Sequence, residues 1–332
     1  MAPVGKVLVL HAGALGDCAL ALHLIAAIRK AWDEPLVTLA ARSPLAQWAR
    51  KHGLVADACS LDQLGAHRFF GPGDDLPEDV LHVLRGFDRV VSLLGGPTEP
   101  VSARLSAALG DRLFAIDPKP TEDTLREGFH ITRQWAGRLA DFGCPIYIEQ
   151  PAQIKLTESE RAAYNRRLAR RLGISPGPTV LCHPGSGGLD KCCPIDVLKQ
   201  HLSTVASQGW NLGWIIGPDE LERFGHSYTD RLKASASVVF EESVEAAADL
   251  ICGAHAYVGN DAGMTHVAAL AGIQTLAIFG PTDPRVWRPL GNACGVIRFP
   301  GPQDSLQAAL QDLLARPASA RLAGAEQERT LR

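Results

Sequence analysis

Tyr257-Val258-Gly259-Asn260-Asp261-Ala262-Gly263-Met264-Thr265-His266-Val267-Ala268-Ala269-Leu270-Ala271-Gly272 reads as the end of a buried strand, a tight turn and the first turns of a helix. Ala256, Tyr257 and Val258 suit the strand. Asn260 and Asp261 are turn and cap residues, because their short side chains reach nearby backbone N–H groups. Gly263 removes a side chain where the helix opens. Met264, Val267, Ala268 and Ala271 give it an apolar face, and Gly272 ends it. Free N–H groups and the helix dipole make such a turn a ready anion site. A second turn, Gly280-Pro281-Thr282-Asp283-Pro284, follows the strand Thr275–Phe279, so two strand ends are expected side by side on one edge of a parallel sheet. By themselves the two turns are equally compatible with ordinary strand–helix junctions.

Working outward, strand and helix alternate through the whole chain. Lys6-Val7-Leu8-Val9-Leu10 is a nearly continuous apolar run, as expected of a parallel strand covered on both faces. The glycine loop His11-Ala12-Gly13-Ala14-Leu15-Gly16-Asp17 follows. A helix is then expected from Asp17 to about Ala31, with Leu20, Leu24 and Ile28 on its buried stripe. Leu36–Ala40, Arg89–Leu94 and Leu113–Ile116 are further strands, and 67–75 is turn-rich and expected to be an exposed loop. The alternation breaks between Cys144 and Thr157, where Pro145 and Pro151 mark a crossover. An Arg-rich helix, Glu158–Leu172, leads to the Pro176-Gly177-Pro178 break. The series then restarts with the strand Thr179–His183, a second glycine loop, Pro184–Lys191, and a helix near Ile195–Gln208 opened by Pro194. Strands at Leu212–Ile216, Val238–Phe240, Ala256–Val258, Thr275–Phe279 and Val296–Arg298 complete it, with a last helix from Ser305 to about Ala315 and a polar tail.

Each half therefore begins strand, glycine loop, helix. Such a series predicts right-handed crossovers and α/β architecture: two Rossmann-like parallel-sheet domains facing each other across a cleft. The expected domains are residues 1–150, a connection at 151–178, and residues 179–332, with the last helix placed to pack back on the first domain. All three glycine or turn motifs fall at carboxyl ends of strands, where open parallel sheets bind ligands.

Composition narrows the function classes. The 332 residues are 46% hydrophobic and 21% charged, as in an ordinary globular protein large enough for two cores. A formal net charge of −3 argues against a nucleic-acid protein. No apolar run reaches membrane-span length and no secretory signal is recognisable, so a cytoplasmic location is expected. The eight cysteines form no C-x-x-C pair, which argues against zinc-ribbon and thioredoxin chemistry and for reduced thiols.

The glycine loops do not fit the common nucleotide fingerprints. Gly13-Ala14-Leu15-Gly16-Asp17 is not G-x-G-x-x-G, and Gly185–Lys191 lacks the G-K-[ST] ending of a P-loop, which weakens dehydrogenase and NTPase readings. Ser186, the N–H groups of Gly187 and Gly188, Lys191 and the helix start at Gly263 together suit a diphosphate. Asp17 reads either as a helix N-cap or as a general base kept ionised by the helix N-terminus. His11 and His183 end their strands without the ligand spacing of a metal pair.

These residues carry a resemblance. The chain resembles glycosyltransferase family 9, the heptosyltransferase family of lipopolysaccharide core synthesis, over nearly its whole length. The likeness rests on Gly13–Asp17 with its helix, on His183–Lys191 with Pro194, on Val258–His266 and on Phe279–Pro284. It implies the GT-B fold and inverting, metal-independent transfer of a heptose from an ADP-activated donor to a hydroxyl of a lipopolysaccharide-core or related glycan acceptor. Asp17 matches the family's base. Ser186, Gly187 and Lys191 match its phosphate loop, and Asp261, Gly263, Met264 and His266 its sugar-diphosphate motif. Glu222 falls at the ribose-binding acid, with Glu220 a rival. No cofactor and no metal are implied. The chain departs from the family pattern at Ala21, His23 and Cys193. A glycolipid acceptor would imply peripheral contact with the inner membrane through Arg42, Arg50, Lys51, His52, His67 and Arg68 with Phe69 and Phe70. Two other classes fit the same motifs: a GT-B enzyme resembling a UDP-sugar 2-epimerase, which needs no acceptor, and a nucleotide-binding member without turnover.

Overall fold

The computed structural model describes residues 4–70, 76–302 and 305–315. The chain divides into two compact units, the first running through Leu156 and the second from Thr157. The first unit also takes in Ala269–Gly272 and Asp283–Asn292. Hydrogen bonds explain that recruitment. Ile154 N–H donates to the Leu270 carbonyl at 2.9 Å, and the His130 ring meets the Arg288 carbonyl at 2.9 Å.

In the first unit, β1 (Lys6–His11), β2 (Leu36–Ala41), β3 (Asp57–Ser60), β4 (Arg89–Leu93) and β5 (Leu113–Ala115) form a sheet in the order β3-β2-β1-β4-β5. Every pairing is parallel. The central run Val7–Leu10 is fully buried. That is the two-sided coverage its unbroken apolar character predicts. The helix Leu15–Ala31 begins two residues before the expected start and is buried almost all round from Cys18 to Ile25. Its His23 accepts the Ala152 N–H at 2.8 Å, so the crossover segment is pinned to the first unit. β3 was not expected from the sequence, and the helices Leu45–Lys51, Glu78–Arg85, Pro100–Leu109, Glu122–Glu127 and Ile131–Asp141 complete the unit among the described residues.

In the second unit, β6 (Thr179–His183), β7 (Asn211–Ile216), β8 (Ser237–Phe240), β9 (Ala256–Asn260), β10 (Gln274–Phe279) and β11 (Cys294–Arg298) are again all parallel, in the order β11-β10-β9-β6-β7-β8. The strand order reverses between β6 and β9, as it does between β1 and β4 in the first sheet. In sheets of this kind the crevice outside those two strand ends is where ligands bind. The helix Ser305–Ala315, expected to be free to pack on the first domain, packs within the second unit. Leu306, Leu310, Leu313 and Leu314 are buried in the same core as Leu276, Ile278 and Leu198. The loop expected at 67–75 is corrected in its described part: Ala66–Phe70 forms a short 3-10 helix with Phe69 buried in the first unit's core and Phe70 exposed, so Phe69 is not available to a membrane surface. Residues 71–75 and the polar tail after 315 fall outside the described residues.

Candidate functional site

In the second unit, four strand ends converge through polar contacts. β9 ends at Asn260, whose fully buried side chain does two jobs. Its Nδ2 donates to the Pro184 carbonyl at 2.8 Å, and its Oδ1 accepts the Cys193 N–H at 2.9 Å. Both ends of the loop Pro184–Lys191 are thereby tied to the strand beside it. The next residue, Asp261, gathers three side chains. Lys191 Nζ lies 2.9 Å from its Oδ2, Thr282 Oγ1 donates to the same oxygen at 2.6 Å, and Ser186 Oγ donates to its backbone carbonyl at 2.5 Å. Arg223 holds the other side of the loop by donating to the Ser186 carbonyl at 2.7 Å.

A second polar cluster sits one strand over, at the end of β7. The helix Pro218–Lys233 starts from Gly217, with proline at its first position. Glu220 folds back to accept the Gly217 N–H at 2.8 Å, half of a capping box. Its other oxygen lies 3.3 Å from His183 Nε2 at the end of β6. Burial alone would raise this carboxyl. The hydrogen bond and charge of His183, with the Gly217 N–H, outweigh that and hold Glu220 below its ordinary value. Gly185 makes the arrangement possible, since a Cβ there would lie 1.8 Å from Glu220 Oε1.

The structure thus joins Ser186, Lys191 and Asp261 directly. Gly187 is exposed in the same loop, and Gly263 and Met264 are half-buried in the first turn of the helix Gly263–Leu270, where His266 is buried. Of the two acids in the helix after β7, Glu220 is buried in this network and Glu222 is exposed. Thr282, Arg223 and the pairing of His183 with Glu220 were not singled out from the sequence, and Asn260, read there as a turn or cap residue, is the last residue of β9 and ties the loop to it. The capping spacing Gly217-x-x-Glu220 is the signal that separates the two acids. Chemically, a lysine, glycine-loop N–H groups and a helix start gathered at strand ends form a surface suited to an anion with vicinal hydroxyls nearby.

In the first unit Asp17 is the third residue of its helix, not the cap. Ala14 occupies the cap position, and Asp17 Oδ2 accepts its N–H at 3.1 Å. The carboxylate is half-buried. Gly13 leaves the space this needs, because a Cβ there would lie 2.8 Å from His11 Cε1 and 3.0 Å from Asp17 Oδ2. His11 is fully buried and neither ring nitrogen has a partner among the described residues. Burial lowers its pKa to about 4.

None of the eight cysteines is in a disulfide, and burial pushes Cys193 up to about 12. Among the described residues there is no cluster of three or more metal-ligating side chains, and no helix is long and apolar enough to cross a membrane.

No curated protein sequence is significantly similar to this one. Solved structures are similar over their full length. Escherichia coli ADP-heptose lps heptosyltransferase II shares 19% identity, covering 97% of this chain and 99% of its own, at a TM-score of 0.68. A glycosyl transferase family 9 protein from Veillonella parvula shares 16%, covering 97% and 96%, also at 0.68. E. coli heptosyltransferase WaaC, solved with ADP, shares 17%, covering 93% and 98%, at 0.61. These likenesses establish the two-sheet GT-B fold. The family profile Glycosyltransferase family 9 (heptosyltransferase) matches residues 113–311, more than half of the chain, and the protein therefore belongs to that glycosyltransferase family.

Proposed function

We propose that this glycosyltransferase inverts configuration without a metal, moving a heptose from an ADP-activated donor to a hydroxyl of a lipopolysaccharide-core or related glycan acceptor. The observation that carries the proposal is the Lys191–Asp261–Thr282 cluster beside the buried Glu220, at the ends of β6, β7, β9 and β10. The solved relatives described as an ADP-heptose enzyme and as WaaC with ADP support the donor.

In this reading Lys191, Ser186 and the N–H groups of Gly187, Gly263 and Met264 receive the diphosphate, with Asp261 orienting Lys191 and His266 lying against the sugar-diphosphate. The geometry favours Glu220 over Glu222 for the ribose hydroxyls. As the bond from the anomeric carbon to the diphosphate oxygen breaks, ADP leaves with the electron pair and the sugar gains oxocarbenium character. The acceptor hydroxyl forms the new bond from the opposite face. Its proton passes to Asp17, whose carboxylate the Ala14 N–H already orients. The diphosphate charge is met by Lys191 and backbone donors, so no divalent cation is needed. A glycolipid acceptor would bring the first unit to the cytoplasmic face of the inner membrane.

The test is ADP release from ADP-heptose with a lipopolysaccharide-core acceptor, with and without chelator, and the product's anomeric configuration read by NMR. Acceptor-dependent, chelator-resistant release with inversion is expected. Conversion of the donor without acceptor would indicate an epimerase, and an untouched donor would indicate a binding protein.

A further inference from the structure

We propose that His183 is a positioning residue: it holds the Glu220 carboxylate in the fixed orientation that recognises the cis-diol of a nucleoside diphosphate ribose. The inference rests on the donor-site reading above and concerns a residue that reading does not use.

Glu220 is 7% exposed and His183 8% exposed. A carboxylate removed from water to that degree either takes up a proton or finds donors. The Gly217 N–H satisfies Oε2 at 2.8 Å, and His183 Nε2 faces Oε1 at 3.3 Å. Two donors leave part of the carboxylate's acceptor capacity, about four lone-pair sites, unused. A vicinal diol needs two acceptors on one rigid group, which is what a doubly anchored carboxylate offers.

His183 is suited to the anchoring role by its place in the fold. It is the last residue of β6, and Glu220 lies in the first helical turn after the adjacent strand β7, so the contact ties two neighbouring strand ends together. Gly185 and the Gly217 N–H fix Glu220 from two sides. Only His183 touches Oε1 as a hydrogen-bonding side chain among the described residues. Nε2 faces Glu220, and the other ring nitrogen, Nδ1, is buried and without a partner among the described residues. A buried ring nitrogen left unpaired is costly, and the cost is consistent with a ring whose orientation is set by Glu220 rather than by its own two-sided hydrogen bonding. Without His183 the carboxylate keeps its cap contact but loses the donor that defines its second oxygen.

The experiment compares calorimetric affinities for ADP and 2′-deoxy-ADP in the full-length protein, for wild type, His183→Gln and His183→Phe. Wild type should prefer ADP by roughly tenfold or more, the scale of one hydrogen bond to a charged group. His183→Gln keeps an N–H at the reach of Nε2 and should keep most of that preference. His183→Phe fills the ring volume without a donor and should reduce the preference to about twofold or less, with His183→Leu serving the same purpose should the Phe variant not fold. A purely structural role for His183 predicts equal losses for the two ligands, and so an unchanged ratio. An unchanged ratio in both apolar variants overturns the proposal and leaves the donor site standing. A wild type that binds ADP and 2′-deoxy-ADP equally overturns the Glu220–diol contact, and this inference with it, while ADP binding survives. A wild type with no affinity for ADP overturns the donor reading itself.

Discussion

Gly185→Ala is a sharp test of the network at the end of β6, because its cost should depend on a residue 35 positions away. The three atoms nearest to an added Cβ all belong to Glu220, at 1.8, 2.5 and 2.8 Å. Contacts that short cannot be absorbed, so Glu220 must swing out. It then gives up the Gly217 N–H and the His183 contact, each a hydrogen bond to a charged group worth about 1.5–3 kcal/mol. Rehydration of the displaced carboxylate returns part of that, leaving an expected destabilisation of about 2–4 kcal/mol. The φ angle of Gly185 is not among the left-handed ones, so an alanine backbone is tolerated there. In a Glu220→Ala background the three clashing atoms are gone. Alanine at 185 should then cost less than about 0.5 kcal/mol, and the smaller entropy of its unfolded chain makes slight stabilisation the expected sign. Urea denaturation of the four proteins, with the slope checked for constancy, gives the coupling directly. Equal costs for Gly185→Ala in the two backgrounds would refute the reasoning.

Asp17→Asn should lower kcat by about two orders of magnitude or more, with donor affinity and melting temperature near wild type, since asparagine can still accept the Ala14 N–H but cannot take the proton; a fully active variant removes Asp17 from the mechanism. Lys191→Ala should weaken ADP binding by about 1.5–3 kcal/mol by calorimetry, with the upper end expected because the same change leaves the Asp261 carboxylate, now paired with Lys191 at 2.9 Å, without its cation and facing the diphosphate; unchanged ADP affinity would refute the phosphate assignment. Acid should destabilise the first unit through His11. Its folded pKa of about 4 lies below the ordinary 6.5, so the unfolded chain binds the proton first, and stability is lost as pH falls from about 6.5 to about 4. The full effect is about 3 kcal/mol. His11→Leu should flatten that part of the stability–pH curve, and an unchanged difference between pH 7 and pH 4.5 would show that the ring is not buried and neutral.

The sequence is legible where one physical requirement dominates. Val7–Leu10, Thr179–His183 and Thr275–Phe279 must be apolar on both faces in a central parallel strand, and their runs say so. Asp57-Ala58-Cys59-Ser60 is an edge strand whose only partner among the described residues is β2, so nothing in its composition announces it. Asp17 illustrates a different limit. Gly13 and Gly16 make 13–16 look like loop, so the first strong capping residue is taken for the cap, whereas the helix has already begun at Leu15 and Asp17 caps from inside it. The two acids after β7 show the same difficulty. Residues two apart on a helix face different ways, and choosing between Glu220 and Glu222 requires the helix start. Pro218 marks that start, and the capping spacing from Gly217 then selects Glu220. Least legible is the pairing of Lys191 with Asp261. Each charge stands in a motif suited to anions, yet they lie 70 residues apart and only the meeting of β6 and β9 brings them together.

His11 and His183 hold equivalent places, the last residue of the first strand of each sheet before a glycine loop, and their physical states differ. The difference comes from the neighbouring strand. After β2 the chain continues Arg42-Ser43-Pro44, which offers no carboxylate to the end of β1, and His11 sits fully buried with its pKa depressed. After β7 it continues Gly217-Pro218-Asp219-Glu220, whose capping geometry delivers a carboxylate to the end of β6. One strand end is therefore apolar and neutral, the other cross-linked and charged, although the supersecondary unit is the same. A buried, neutral His11 adds no positive charge near the base proposed at Asp17. A charged, hydrogen-bonded setting suits the binding of a polar nucleotide. The two strand ends thus differ in the way that the proposed roles of base and donor site call for, and the residue that makes the difference, Glu220, lies in the βα turn after β7, outside the glycine loops.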